Sequence, residues 1–128
     1  MAEKQIVVGV DDDFRVRESI ESLVESAGYM PRVFSSAEEF LGSGALGEAT
    51  CVITDVRMPG MDGLDLQRRI RVEYPRLPVI FISAHFGDEI RRRALEGGAV
   101  DFMYKPFDAT DLLQAIDRAL SNSPNHRA

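Results

Sequence analysis

Short apolar runs alternate along the chain with longer stretches in which apolar residues return at helical spacing. The runs cover 6–10, 31–34 (the weakest), 51–54, 79–83 and 100–104. Most are nearly unbroken, as strands buried on both faces must be. Between them, Val16, Ile20, Leu23, Val24 and Ala27 recur along one helical stripe. Leu66, Ile70 and Tyr74 fall every fourth residue, as do Leu112, Ile116 and Leu120. Each set predicts one buried helix face. Gly28 and Gly97-Gly98 sit where the first and fourth helices should stop, and Pro75 closes the third. Ser36 with Glu39 forms a capping-box pattern, and Asp108 is placed to cap the last helix.

Strands and helices in strict alternation predict an α/β protein with a five-stranded parallel sheet. The order expected for such a doubly wound (βα)5 chain is the flavodoxin-like 2-1-3-4-5, with sites beyond the carboxyl ends of the strands. The sequence places charge at those ends. The first strand runs into Asp11, Asp12 and Asp13, the third into Asp55, the fourth ends at Ser83, and the fifth meets Lys105. Carboxylates crowded together need a cation or must stay partly protonated. Mg²⁺ takes oxygen ligands from a few carboxylates, waters and a phosphate, so Asp11, Asp12 and Asp55 suit it. A hydroxyl and an ammonium opposite suit a phosphoryl group. Asp55, central to the set, is the best nucleophile, because carboxylates form aspartyl phosphates.

Composition narrows the picture. The 128 residues fit one domain, and the net charge of −6 argues against direct contact with a nucleic-acid backbone. The single cysteine, Cys51, reads as a buried hydrophobe. No run is long enough to span a bilayer and "MAEKQ" is no signal peptide, so a cytoplasmic protein is expected. The domain is expected over 1–121, with 122–128 as a polar tail or the start of a linker; the polar composition begins at Ser121.

With "VDDD", "DVRMPGMDG", "SA" at Ser83-Ala84 and "KPF" from Lys105 to Phe107 in this order, the chain resembles the receiver domains of bacterial two-component response regulators. The match runs from about 5 to 120 and is most similar to the FixJ/NodW type, whose receivers control DNA-binding output domains. The resemblance implies Asp55 as phosphoacceptor, taking phosphate from a sensor histidine kinase or phosphotransfer protein. It implies Mg²⁺, with Mn²⁺ able to substitute, held by Asp11, Asp12, Asp55 and the backbone carbonyl of Arg57. Ser83 and Lys105 would hold the phosphoryl group, Lys105–Pro106 would be cis, and Arg57, His85 and Pro106 would flank the site. Ser83 and Phe102 would act as the switch: phosphorylation draws Ser83 in, turns Phe102 inward and reshapes the surface of the fourth helix, fifth strand and fifth helix. The implied protein is a signalling domain rather than a metabolic enzyme, a monomer able to dimerise when phosphorylated.

Asp13 is expected to cap the first helix rather than bind metal. His85 and Arg57 could equally be exposed loop side chains, and Arg91 to Arg93 a solvated face or a partner contact. Gly9 should weaken its strand unless close packing requires it. Tyr104 either shields the site or points outward. Three other functions fit less well. A phosphohydrolase would use the Asp11-x-Asp13 spacing but leaves "KPF" unexplained. A flavin or nucleotide carrier needs a phosphate loop where this chain has "DDDFRVRES". A docking module that is never phosphorylated has no use for the acidic pair, the acceptor and the lysine.

Overall fold

The computed structural model describes residues 5–85 and 87–122. Its elements are β1 (Ile6–Val10), α1 (Phe14–Ser26), β2 (Met30–Phe34), α2 (Ala37–Gly42), a 3-10 turn (Ala45–Gly47), β3 (Cys51–Asp55), α3 (Gly63–Glu73), β4 (Val79–Ser83), α4 (Asp88–Glu96), β5 (Asp101–Tyr104) and α5 (Ala109–Asn122). The strands form one parallel sheet in the order β2-β1-β3-β4-β5, as expected. Ser121 and Asn122 still belong to α5, so the helix outlasts the point where the composition turns polar. The remaining tail lies outside the described residues.

Alternation along each strand divides the core into two layers. Val8, Val52 and Phe81 point into one, which α2 and α3 complete with Phe40, Leu66 and Ile70. Val7, Ile53 and Ile80 point into the other, against Ile20 and Val24 of α1 and Leu112 and Ile116 of α5. All residues of β3 and β4 are buried, which is why their sequences are nearly continuous in apolar residues. Two helical stripes stop short of expectation. Ala27 is the C-cap of α1 and is exposed, and Tyr74, the C-cap of α3, is 38% exposed because the backbone has left the helix there.

Gly9 is required by packing. A Cβ there would lie 2.9 Å from Cγ2 of Ile20 and 3.4 Å from Cγ1 of Val33, so the missing side chain lets α1 sit close on β1. The Ser36 box is only half formed. Ser36 Oγ accepts from the Glu39 N–H at 3.0 Å, but the Glu39 carboxylate accepts from the Ser35 N–H at 2.7 Å, one residue early. The reciprocal box is at α3, where Asp62 and Asp65 each accept the other's backbone N–H. Asp108 caps α5 as expected, accepting from Thr110 and Asp111.

Candidate functional site

The parallel register brings the strand ends level. Val10 lies beside Thr54, Asp55 beside Ile82, and Ser83 beside Tyr104. Asp11, Asp55, Ser83 and Lys105 therefore open on one crevice, with the Lys105 N–H donating to the Ser83 carbonyl at 2.7 Å.

Lys105 is the hub of the charges. Its Nζ stands 2.9 Å from Asp11 Oδ2 and 3.1 Å from Asp55 Oδ2. Asp11 is fully buried. Its Oδ1 accepts from the Asp13 N–H at 2.8 Å, while Oδ2 has the ammonium nearby without a well-aligned hydrogen bond. One lysine serves two carboxylates, so neither is fully compensated. Burial pushes Asp11 above its ordinary 3.8, against the pull of the Lys105 ammonium and the Asp13 hydrogen bond and with help from the Asp55 charge. Burial opposes the Lys105 ammonium, but Asp11 and Asp55 outweigh it and raise the lysine above its ordinary 10.5.

Asp12 is exposed, yet Asp11, Asp12 and Asp55 each offer an oxygen within 4.8 Å of the others. Three carboxylate oxygens grouped this closely could hold a metal ion. The donor set, all hard oxygen, fits Mg²⁺ or Mn²⁺. Asp13 stands apart, its side chain spent on capping α1 through the Arg15 N–H at 2.9 Å.

Asp55 is held on both sides. Its Oδ1 accepts from the Val56 N–H at 2.8 Å, and its Oδ2 faces Lys105. Gly63 closes the loop behind it, donating its N–H to the Val56 carbonyl at 2.7 Å. Ser83 is buried, but its hydroxyl is engaged with the following loop. Oγ accepts from the His85 N–H at 2.9 Å and lies 3.2 Å from the His85 carbonyl. His85 is exposed, as is Arg57. Arg57 lines a cleft of about 350 Å³ with Val56, Met58, Ile90 and Arg93. The Lys105–Pro106 peptide is cis.

Phe102 departs from expectation. It is already inward in this structure, 5% exposed, stacked on Phe81 at 6.0 Å and edge-on to Tyr104 at 5.4 Å. A phenylalanine has no hydroxyl to hold at the surface, so burial against a second ring favours it. Tyr104 is half-buried and packs edge-on against Phe102.

Three contributors were not legible in the sequence. Gly63 lies in a recognisable turn, but nothing in the letters says that it backs Asp55. Glu38 of α2 accepts the Met61 N–H at 2.8 Å and so braces the loop after Asp55. Arg17 donates to the Asp11 carbonyl at 2.9 Å.

A parallel sheet with this acidic crevice and its lysine defines a class, and residues 7–117 match the response regulator receiver domain. The chain belongs to that family: it is a receiver domain of two-component systems, a signalling domain. It is 42% identical over 125 residues to Response regulator protein TmoT of Ectopseudomonas mendocina, covering 98% of this chain and 57% of that protein. It is 39% identical over 124 residues to Nodulation protein W of Bradyrhizobium diazoefficiens, covering 97% and 55%. The structure of the response regulator StyR superposes with a TM-score of 0.87 at 37% identity, covering 98% of this chain and 63% of that one. The chain thus spans little more than half the length of the curated relatives it matches. Among the described residues no helix is long and apolar enough to cross a membrane.

Proposed function

We propose that this chain is a phosphorylation switch in which Asp55 accepts a phosphoryl group from a phosphohistidine. The observation that supports it most is the shared lysine: Lys105 bridges Asp11 and Asp55 while Asp12 completes a three-oxygen cluster. An oxygen of Asp55 forms the new O–P bond as the N–P bond of the phosphohistidine breaks, and the bonding pair leaves on the imidazole nitrogen. Lys105 lies within reach to balance charge on the transferred group. Bound at Asp11, Asp12, Asp55 and the Arg57 carbonyl, Mg²⁺ would neutralise charge on both acceptor and phosphoryl oxygens. The domain turns over no metabolite on this reading.

The output follows from Ser83. To reach a phosphoryl group its hydroxyl must leave the His85 backbone, which releases the loop leading into α4. At the start of α4, Gly87 is the N-cap and supplies no side-chain hydrogen bond to the helix. The face of α4, β5 and α5 then changes shape for an output domain or partner, or for a second copy of the chain. A hollow of about 360 Å³ bounded by Arg15, Val16, Lys105 and Phe107 adjoins the lysine, and on this reading it receives the donor protein.

Beryllofluoride, which mimics an attached phosphoryl group, tests this reading by amide NMR. With Mg²⁺ present, large shifts are expected at Asp55, Ser83, Lys105 and through α4. No shifts beyond those of Mg²⁺ alone, at saturating beryllofluoride, would contradict the proposal.

A further inference from the structure

Arg17 stands where a cation is least expected. It lies in the first turn of α1, at the positive end of the helix dipole and beside the carboxylates proposed to hold a divalent ion. Yet it forms no ion pair with those carboxylates. Its Nη1 donates to the backbone carbonyl of Asp11 at 2.9 Å, its guanidinium stands 5.7 Å from the Phe14 ring centroid, and its charge reaches Glu39 on α2.

The other polar atoms of Asp11 are already engaged. Its N–H donates to the Phe34 carbonyl at 3.1 Å, Oδ1 accepts from Asp13, and Oδ2 faces Lys105. Arg17 takes the remaining group, the carbonyl. A peptide is planar, so fixing that carbonyl fixes the Asp12 N–H and the direction in which Asp12 leaves. Asp12 is exposed and has no hydrogen bond or ion pair of its own among the described residues. Its carboxylate is placed by the backbone alone.

We infer that Arg17 is a positioning residue for the cation site: it locks the Asp11–Asp12 peptide and, through it, holds the Asp12 carboxylate near those of Asp11 and Asp55. This rests on the proposed cation site. Two effects of removing Arg17 have opposite signs. Losing a nearby positive charge tightens binding of a divalent cation. Losing the lock weakens it, by about 10-fold for a partner one step from the ligands.

Mg²⁺ titration by calorimetry, with no phosphodonor present, decides between them. Arg17→Met is expected to raise the Mg²⁺ Kd about 10-fold, and Arg17→Lys, which keeps the charge and one donor, to recover part of the loss. In an Asp12→Ala background Arg17→Met should no longer weaken binding, because the lock acts through Asp12, and only the tightening from the lost charge remains. Thermal unfolding without metal checks that each variant is folded. If Arg17→Met is not, Arg17→Lys carries the same comparison, with a smaller loss that also vanishes beside Asp12→Ala. Wild type that binds Mg²⁺ while Arg17→Met binds equally or more tightly overturns the inference alone, as do losses that add in the double variant. Wild type that binds no Mg²⁺ removes the cation site and the inference together.

Discussion

Gly63→Ala is expected to be the most damaging single methyl in the domain. A Cβ at this position would run into the carbonyl oxygen of Asp55 and stand 3.1 Å from both the Asp55 carbonyl carbon and Phe81 Cε1. Two of these neighbours are backbone at the end of a fully buried strand, so they cannot swing away as a side chain can. The Gly63 N–H is also bonded to the Val56 carbonyl at 2.7 Å, which holds the two segments together. Either α3 moves out or the end of β3 moves, and the second alternative displaces Asp55 itself. A loss of about 3 kcal/mol follows from overpacking against rigid backbone. Urea unfolding measures it. A change below roughly 1 kcal/mol, with Asp55 phosphorylation intact, would show that the α3 start yields more easily than the packing implies.

Lys105→Met should rank next, and its sign depends on conditions. Removing the lysine leaves Asp11 and Asp55 buried near each other without a counter-charge. Breaking such a pair by deleting one partner costs about 3–5 kcal/mol, and the low end applies because Lys105 retains 17% exposure. The pH dependence follows from the two shifts. Lys105 is raised above 10.5, so its contribution is fully present below that value and lost as the pH rises through its folded value. Asp11 is raised above 3.8, so the burden of its charge appears only as the pH climbs past that point. The gap between wild type and Lys105→Met should therefore be widest in the neutral range and close toward both extremes. Mg²⁺ should narrow it, since a cation replaces the missing charge and binds only the folded state. Unfolding curves across pH, with and without Mg²⁺, check this; a gap that stays constant with pH would mean that Lys105 acts through packing.

The fold was legible because its signals are local. Burial on both faces made β3 and β4 read as unbroken apolar runs, and the charged residues fell directly at the strand ends, where topology alone brings them together. Shifts of one residue at the boundaries of β2, β3 and β5 reflect hydrogen bonds that pattern cannot see. What the letters hid was cross-chain. Glu39 is spaced for a capping box, yet a Ser35 N–H within reach of the same carboxylate diverts it. Tyr104 gave no direction until Phe102 supplied a ring to pack against. The inward placement of Phe102 was not legible, because its position depends on Phe81 of the neighbouring strand. Arg17 and Glu38 act on backbone groups, and a backbone partner leaves no trace in side-chain spacing.

The central claim is that Asp55 accepts a phosphoryl group at a site that needs a divalent cation. Intact mass after incubation with acetyl phosphate tests it most directly, with wild type and Asp55→Asn side by side, each with Mg²⁺ and with chelator. The account predicts one added phosphoryl group on wild type with Mg²⁺ and none in the other three samples. An adduct that survives Asp55→Asn or chelation would contradict it, as would wild type that binds beryllofluoride and Mg²⁺ yet never gains the mass.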